Sequence, residues 1–312
     1  MHLLISFASC RSEGCASALP TLSLPRLEKL LRRLTPEPMD TGDEFSLSPP
    51  HERTLARALG ISAPDGLIPW AALEASKTMP AEGAWGFISP CHWQVGTNHI
   101  AMSGQALPDF SSQESQTLMA AMQPYFEEDG ITLYFVQPDR WLAHAALFND
   151  MATASLDRVL GRNVEHWIPR TPNAAGLRRL QSEMQMLLYT HPVNEARAAR
   201  GAVPVNSFWL SGTGALANPL RLPASDSPPI VLSALRESAL NEDWASWAKA
   251  WQAVDATQCA DLLAALDQGG SHQLTLCGER SAQSFTFKPQ SIAKRLLNLF
   301  SPPNLVSQLK QL

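Results

Sequence analysis

The chain has 312 residues, 45% of them hydrophobic and 17% charged, with 24 basic against 29 acidic residues and a net charge of −5. That length suits one large domain or two of ordinary size, and a charged fraction below the usual ~25% leaves a fairly neutral surface around a substantial core. No dense Lys/Arg run is present, which excludes a groove that neutralises many phosphates and removes nucleic acid from the expected partners.

The opening MHLLISFASC holds a short apolar run with no basic residue before it, and Arg11 and Glu13 follow at once. It reads as a buried first strand over residues 3–8 rather than a leader. Without an apolar stretch of about 18 residues no membrane helix is expected. The five cysteines, Cys10, Cys15, Cys91, Cys259 and Cys277, are odd in number and irregularly spaced. They argue against a disulfide framework and for a reducing, cytoplasmic setting.

LPTLSLPRLEKLLRRL predicts a helix from about Pro25, with leucines at 24, 27, 30, 31 and 34 in helical spacing and basic residues in its last turn. TPEPMDTGDE has the composition of a linker. SLSPPHERTLARALG predicts a helix with Ser48 as N-cap, Pro49 and Pro50 in the first turn and Gly60 past its end. A short helix in DGLIPWAALEA follows, then strands in AWGFISP and around residues 93–102. Ser111 and Glu114 have the spacing of a capping box ahead of a helix through Leu118, Met119, Met122 and Phe126. ITLYFV is a continuous apolar run of the kind buried on both faces. A helix over 173–189 carries the stripe Leu177, Leu180, Met184, Leu187 and Leu188.

Beyond NPLRLPASDSPP, a boundary by composition, IVLSAL reads as a strand. NEDWASWAKAWQAV reads as a helix with Trp244, Trp247 and Trp251 on one core-facing side. HQLTLCGE and SFTFKP read as a hairpin or a strand pair, and SIAKRLLNLF starts a C-terminal helix. Alternating strands and helices predict an α/β fold, a layered mixed sheet flanked by helices. Residues 1–220 are expected to form the main domain and 221–312 a C-terminal segment packed on the same core.

HPVNEARAARGAVPVNSFWLSGTG, residues 191–214, holds the candidate site. Pro192 starts a short helix carrying Asn194, Glu195 and Arg197. Gly201 suits the left-handed residue after a helix end. Pro204 launches a strand through VNSFWL, and Ser211, Gly212, Thr213 and Gly214 close it, the glycines letting amides converge into an anion nest. Arg197 offers a fork for phosphate or carboxylate. Asn194 and Asn206 can bind the same ligand or hold loop backbone, and Arg197 can instead pair with Glu195 or a nearby acid. In SPCHWQVGTNH, His92 and Asn98 are expected to line the same cleft, with Trp93 and Gln94. Cys91, His92 and His99 match no structural zinc spacing, and Cys91 and His92 as neighbours on a strand point to opposite faces. A small anionic ligand or a protein partner is the expected occupant.

The pattern HPVN-x-x-R-x-x-x-G-x-x-P-x-N with its glycine run is similar to a motif of archaeal-type cofactor-independent phosphoglycerate mutases, in the metal-dependent alkaline phosphatase superfamily. SLSPPHERTLARALG, SPCHWQVGTNH, ESQTLMAAMQPYFEEDG, TASLDRVLGR, LRRLQSEMQMLLYTHPVNEARAARG and PVNSFWLSGTG, together with the MHLL start, resemble the proteobacterial family of RpfE-type regulatory proteins. The resemblance implies a degenerate alkaline-phosphatase-like scaffold and a regulatory role. The mutases carry an Asp-Gly metal motif after the first strand, a Ser or Thr nucleophile and later Asp/His clusters. Here the strand ends FASCRSEGCAS, and the C-terminal region offers only His272, in GGSHQLTLCGE. Two divalent ions need several carboxylates and imidazoles, so no catalytic residue, metal ligand or cofactor is carried over. The alternative is an enzyme acting on a phosphorylated or carboxylated metabolite through relocated ligands.

Overall fold

The computed structural model describes every residue except 81, 97–98, 104–106, 108, 217–227 and 289–303. The helix expected in SIAKRLLNLF therefore lies outside the described residues. The chain forms two compact units: residues 1–45, 49–60 and 221–312 make the first, and residues 46–48 and 61–220 the second.

The first unit is built on a six-stranded mixed sheet, ordered Ile230–Leu232, His2–Ile5, Gln273–Cys277, Ser281–Thr286 and Thr35–Pro36, with Asp40–Thr41 also paired to Ser281–Thr286. His2–Ile5 runs parallel to both its neighbours, whereas the later pairings are antiparallel. The side-chain period of two sends Leu3 and Ile5 to one face and Leu4 to the other. Leu3 and Ile5 join Leu27, Leu30, Trp247, Trp251, Leu262 and Leu276 in one cluster, while Leu4 packs with Cys277, Ala282 and Leu55. Both faces of the strand are thus covered, which is why it reads as an uninterrupted apolar run. This is the layered mixed α/β architecture expected from the sequence.

Helix Pro25–Arg33 buries Leu27, Leu30 and Leu31 as its spacing predicts. Its N-terminus is held by a distant residue, since the buried carboxylate of Asp255 accepts from the amides of Leu27 (2.7 Å) and Arg26 (3.3 Å). The tryptophan stripe lies on helix Trp244–Ala256; Trp247 and Trp251 are fully buried and meet edge to face with centroids 6.2 Å apart. TPEPMDTGDE is no linker, because it supplies the strands Thr35–Pro36 and Asp40–Thr41. Helix Pro50–Ala58 starts with Pro49 as its N-cap. Ser48 caps something else: its hydroxyl accepts from the Gly66 amide at 2.9 Å.

The second unit centres on a four-stranded antiparallel sheet, ordered Thr132–Gln137, Arg140–His144, Ala84–Cys91 and Ser207–Ala215. One face carries helices Ser112–Glu128 and Ala175–Tyr189, whose Leu118, Met122, Phe126, Leu180, Met184 and Leu188 pack with Ile88, Trp141 and Phe208. The other face carries helix Trp70–Ala75, through Ala71, Ala72 and Ala75 against Trp85 and Leu142. ITLYFV is not buried on both faces. It forms an edge strand whose Tyr134 and Val136 are exposed while Leu133 points to the core. No helix among the described residues is long and apolar enough to cross a membrane.

Candidate functional site

The 191–214 segment lies wholly in the second unit and forms helix Pro192–Ala199, a left-handed turn at Gly201 and the strand Ser207–Ala215. His191 caps the helix, its Nδ1 accepting from the Val193 amide at 3.2 Å, and burial lowers the ring's pKa. Asn194 is buried. Its Nδ2 donates to the carbonyls of Leu188 (2.8 Å) and Val205 (2.6 Å), and its Oδ1 accepts from the Val205 amide at 2.9 Å. A side-chain amide is well matched to this task because it offers donors and an acceptor to the main chain at once.

Asn206 repeats the device on the other side of the strand entry. Its Oδ1 accepts from the Trp93 amide at 2.7 Å and its Nδ2 donates to the Trp93 carbonyl at 2.8 Å. His92 is tied to the same place through Nδ1 and the Pro204 carbonyl, 2.9 Å apart. Asn98 lies outside the described residues.

SGTG is no loop. Ser211 to Gly214 continue the strand, and its pairing with Ala84–Cys91 shifts register between Trp85 and Phe87. A β-bulge of this kind leaves an extra residue on one strand. Gly212 has φ +61, and a Cβ there would stand 3.0 Å from the Phe87 ring and 3.2 Å from Trp70. Gly214 passes so close to the chain that a Cβ would stand 2.9 Å from the Leu67 carbonyl oxygen. The fully buried Thr213 hydroxyl donates to the Met151 carbonyl (2.6 Å) and lies 2.9 Å from the Thr153 hydroxyl. Ser211 is likewise buried. The glycines serve close packing across the sheet, and their strand is not an open nest.

Arg197 is closed to solvent. Its Nε donates to the Val203 carbonyl at 2.8 Å, its Nη1 reaches the Asp109 carbonyl at 3.5 Å, and its guanidinium lies 5.2 Å from the centre of the Phe110 ring. The acid opposite it is Glu114, not Glu195: Arg197 Nη1 is 3.3 Å from Glu114 Oε2. Arg200, one helical turn on and 43% exposed, places Nη2 2.6 Å from Glu114 Oε1.

Glu114 is therefore the point where the two helices meet. Its carboxylate also accepts from the Ser111 amide (2.9 Å) and hydroxyl (3.0 Å), completing the capping box of helix Ser112–Glu128. Burial opposes its ionisation, but those bonds, Arg200 and the charge of Arg197 outweigh it and hold the pKa down to about 2. In front of this carboxylate runs an open groove of about 620 Å³, lined by Ser111, Glu114, Thr117, Val193, Ala196 and Arg200 among others. The sequence reading singled out the capping box but not the groove. Its second arginine, Arg200, lies in the 191–214 segment, three residues beyond Arg197.

Cys91 is buried and its thiol is pushed up by that burial. Among the described residues no group of three or more His, Cys, Asp or Glu side chains could hold a metal ion.

The fold and groove define an α/β protein with a mixed sheet in one unit and an antiparallel sheet in the other, the latter carrying a surface groove floored by an arginine–carboxylate network. No family model matches the chain, and no curated protein sequence matches it. Solved structures are similar to it, two of them as follows. One is the cofactor-independent phosphoglycerate mutase from Thermoplasma acidophilum DSM 1728, at 12% identity and TM-score 0.36, covering 93% of this chain and 90% of that one. The other is the PH0037 protein from Pyrococcus horikoshii, at 10% identity and TM-score 0.46, covering 92% and 87%.

Proposed function

We propose that this protein is a non-catalytic binding protein with a regulatory role, of the RpfE type that its sequence motifs resemble, on a phosphoglycerate-mutase-like scaffold. It binds a carboxylate or phosphate group, carried by a small molecule or by a partner's segment, in the groove between helices Ser112–Glu128 and Pro192–Ala199. The observation that carries this reading is the division of labour in the 191–214 segment. Asn194, Arg197, Asn206 and Thr213 bond to the protein's own main chain, whereas Arg200 stands half in solvent at the groove wall.

Arg200 meets the ligand, and Arg197 and Asn194 hold the wall behind it. Glu114 bridges both arginines, and with Asp109 on the lining the formal charges of the four groups cancel, so recognition rests on the half-exposed guanidinium of Arg200 rather than on net charge. An arginine fork reads planar oxyanions by paired bonds as well as by charge. Val193 and Ala196 give the groove an apolar wall for the rest of the bound group.

The test is a paired measurement of melting and of ligand-induced stabilisation, using inorganic phosphate and 3-phosphoglycerate as probes for the small-molecule source. Arg200→Ala should lose the response while melting only slightly lower, through its lost bond to Glu114, whereas Arg197→Lys should melt lower still. An undiminished response in Arg200→Ala would remove the groove as the site.

A further inference from the structure

The turn after the first strand of the first unit brings two thiols together. His2–Ile5 ends between the carboxyl ends of its two parallel neighbours, the Ser6 amide donating to the Leu232 carbonyl and the Ala8 amide to that of Cys277. That is the end of an α/β sheet where ligands and reactive groups are usually placed. Between these anchors Phe7 takes a left-handed conformation, φ 56, which a bulky residue rarely adopts. The chain then turns through Ser9 and Cys10 into helix Glu13–Ala18, with Ser12 as its N-cap.

Cys15 lies fully buried on that helix and Cys10 half-buried before it. The Cys10 amide donates to the Cys15 sulfur at 3.2 Å, which puts that sulfur within about 4.7 Å of the Cys10 Cα. Gly14 lets the turn seat directly on a neighbouring helix, since a Cβ there would stand 2.2 Å from Trp244 Nε1. The two thiols are fixed in proximity by packing.

We propose that Cys10 and Cys15 form a redox-active dithiol, a modification site that takes low-molecular-weight disulfides such as glutathione disulfide. Cys10, the more accessible residue, attacks the incoming disulfide as its thiolate; a Cys10–sulfur bond forms, the attacked sulfur–sulfur bond breaks and one thiolate leaves. Cys15 then attacks the Cys10 sulfur, closing the Cys10–Cys15 disulfide and expelling the second thiolate. The two protons given up by the cysteines end on the two released thiols, and the low-molecular-weight disulfide is reduced by the two electrons the protein loses.

Cys15 suits the resolving role. Hydrogen bonds from Cys10 and Ser9 hold its thiol down to about 7, against burial and the Glu279 carboxylate. Burial instead pushes Cys259 up to about 12 and drives Cys91 and Cys277 up as well. Attack requires the thiolate, and burial disfavours it at those three.

The experiment treats the full-length protein with glutathione disulfide at neutral pH, alkylates the remaining thiols and maps peptides without reduction. The expected result is a Cys10–Cys15 cross-link formed at least ~10-fold faster than any modification of Cys91, Cys259 or Cys277, because those three are buried and Cys10 is not. Cys15→Ser should stop at a single glutathione on Cys10. A stable glutathione adduct on Cys10 of the unmutated protein, or cross-linking no faster than modification of the other three, would overturn the proposal. Because the unmutated protein alone decides between these outcomes, a variant that fails to fold leaves the test intact.

Discussion

Replacing Glu114 by Gln removes one charge and almost no volume, so its effect isolates the electrostatics of the helix junction. The carboxylate is held at about 2 against an ordinary 4.5, which corresponds to roughly 3 kcal/mol of folding stability. A second route gives a similar figure. Breaking a buried ion pair costs about 3–5 kcal/mol because the remaining charge is left uncompensated. Arg197 is fully buried here, but it keeps its bond to the Val203 carbonyl, which favours the lower end.

The depressed pKa also fixes the pH dependence. A carboxylate with a lower pKa in the folded state contributes fully above its unfolded value and loses that contribution as pH falls toward the folded one. The window therefore runs from about 4.5 down to about 2. Urea denaturation followed by circular dichroism should show Glu114→Gln less stable by about 3 kcal/mol at pH 7, the gap shrinking to about 1.5 kcal/mol near pH 3. A gap below about 0.5 kcal/mol at pH 7, the worth of an exposed pair, or one independent of pH, would refute this reasoning.

Leu180→Ala, at a fully buried position between helix Ala175–Tyr189 and the sheet, should cost about 2–5 kcal/mol in the same assay; an unchanged midpoint would mean the buried face is misassigned. Asn206→Ala leaves the amide and carbonyl of Trp93 without the partners they have now. It should destabilise by about 1–3 kcal/mol, with hydrogen exchange at the Trp93 amide accelerated more than at Leu210. Phosphoglycerate mutase turnover with Mn²⁺, Mg²⁺ or Co²⁺ is expected to equal a metal-free blank, and chelator-sensitive turnover would contradict the non-catalytic reading.

What the sequence disclosed was local in origin. The Ser111–Glu114 capping box, the leucine spacing of Pro25–Arg33 and the tryptophan stripe of Trp244–Ala256 each depend on residues within a few turns of one another. What it hid depends on partners far along the chain. Thr35–Pro36 becomes a strand only because Phe285 and Thr286 lie beside it, and nothing in TPEPMDTGDE announces that pairing. Thr132–Gln137 has the apolar run of a central strand, yet nothing local tells that it sits at an edge. SGTG has loop composition, but its glycines answer to Phe87, Trp70 and Leu67 across the sheet. Arg197 finds its acid in Glu114 rather than in the adjacent Glu195, so the choice between ligand fork and structural fork could not be made from the segment alone.

The proposed function makes the groove beside Glu114 a binding site whose contact residue is Arg200. The most direct measurement is a native mass spectrum of the protein and of its Arg200→Ala variant, each purified from the cells that produce it naturally. A bound anionic metabolite or a partner chain is expected on the unmutated protein and its loss from the variant, with both proteins folded. Equal occupancy of the two, an unmutated protein that carries nothing, or a stoichiometric divalent metal in place of the anion would contradict it.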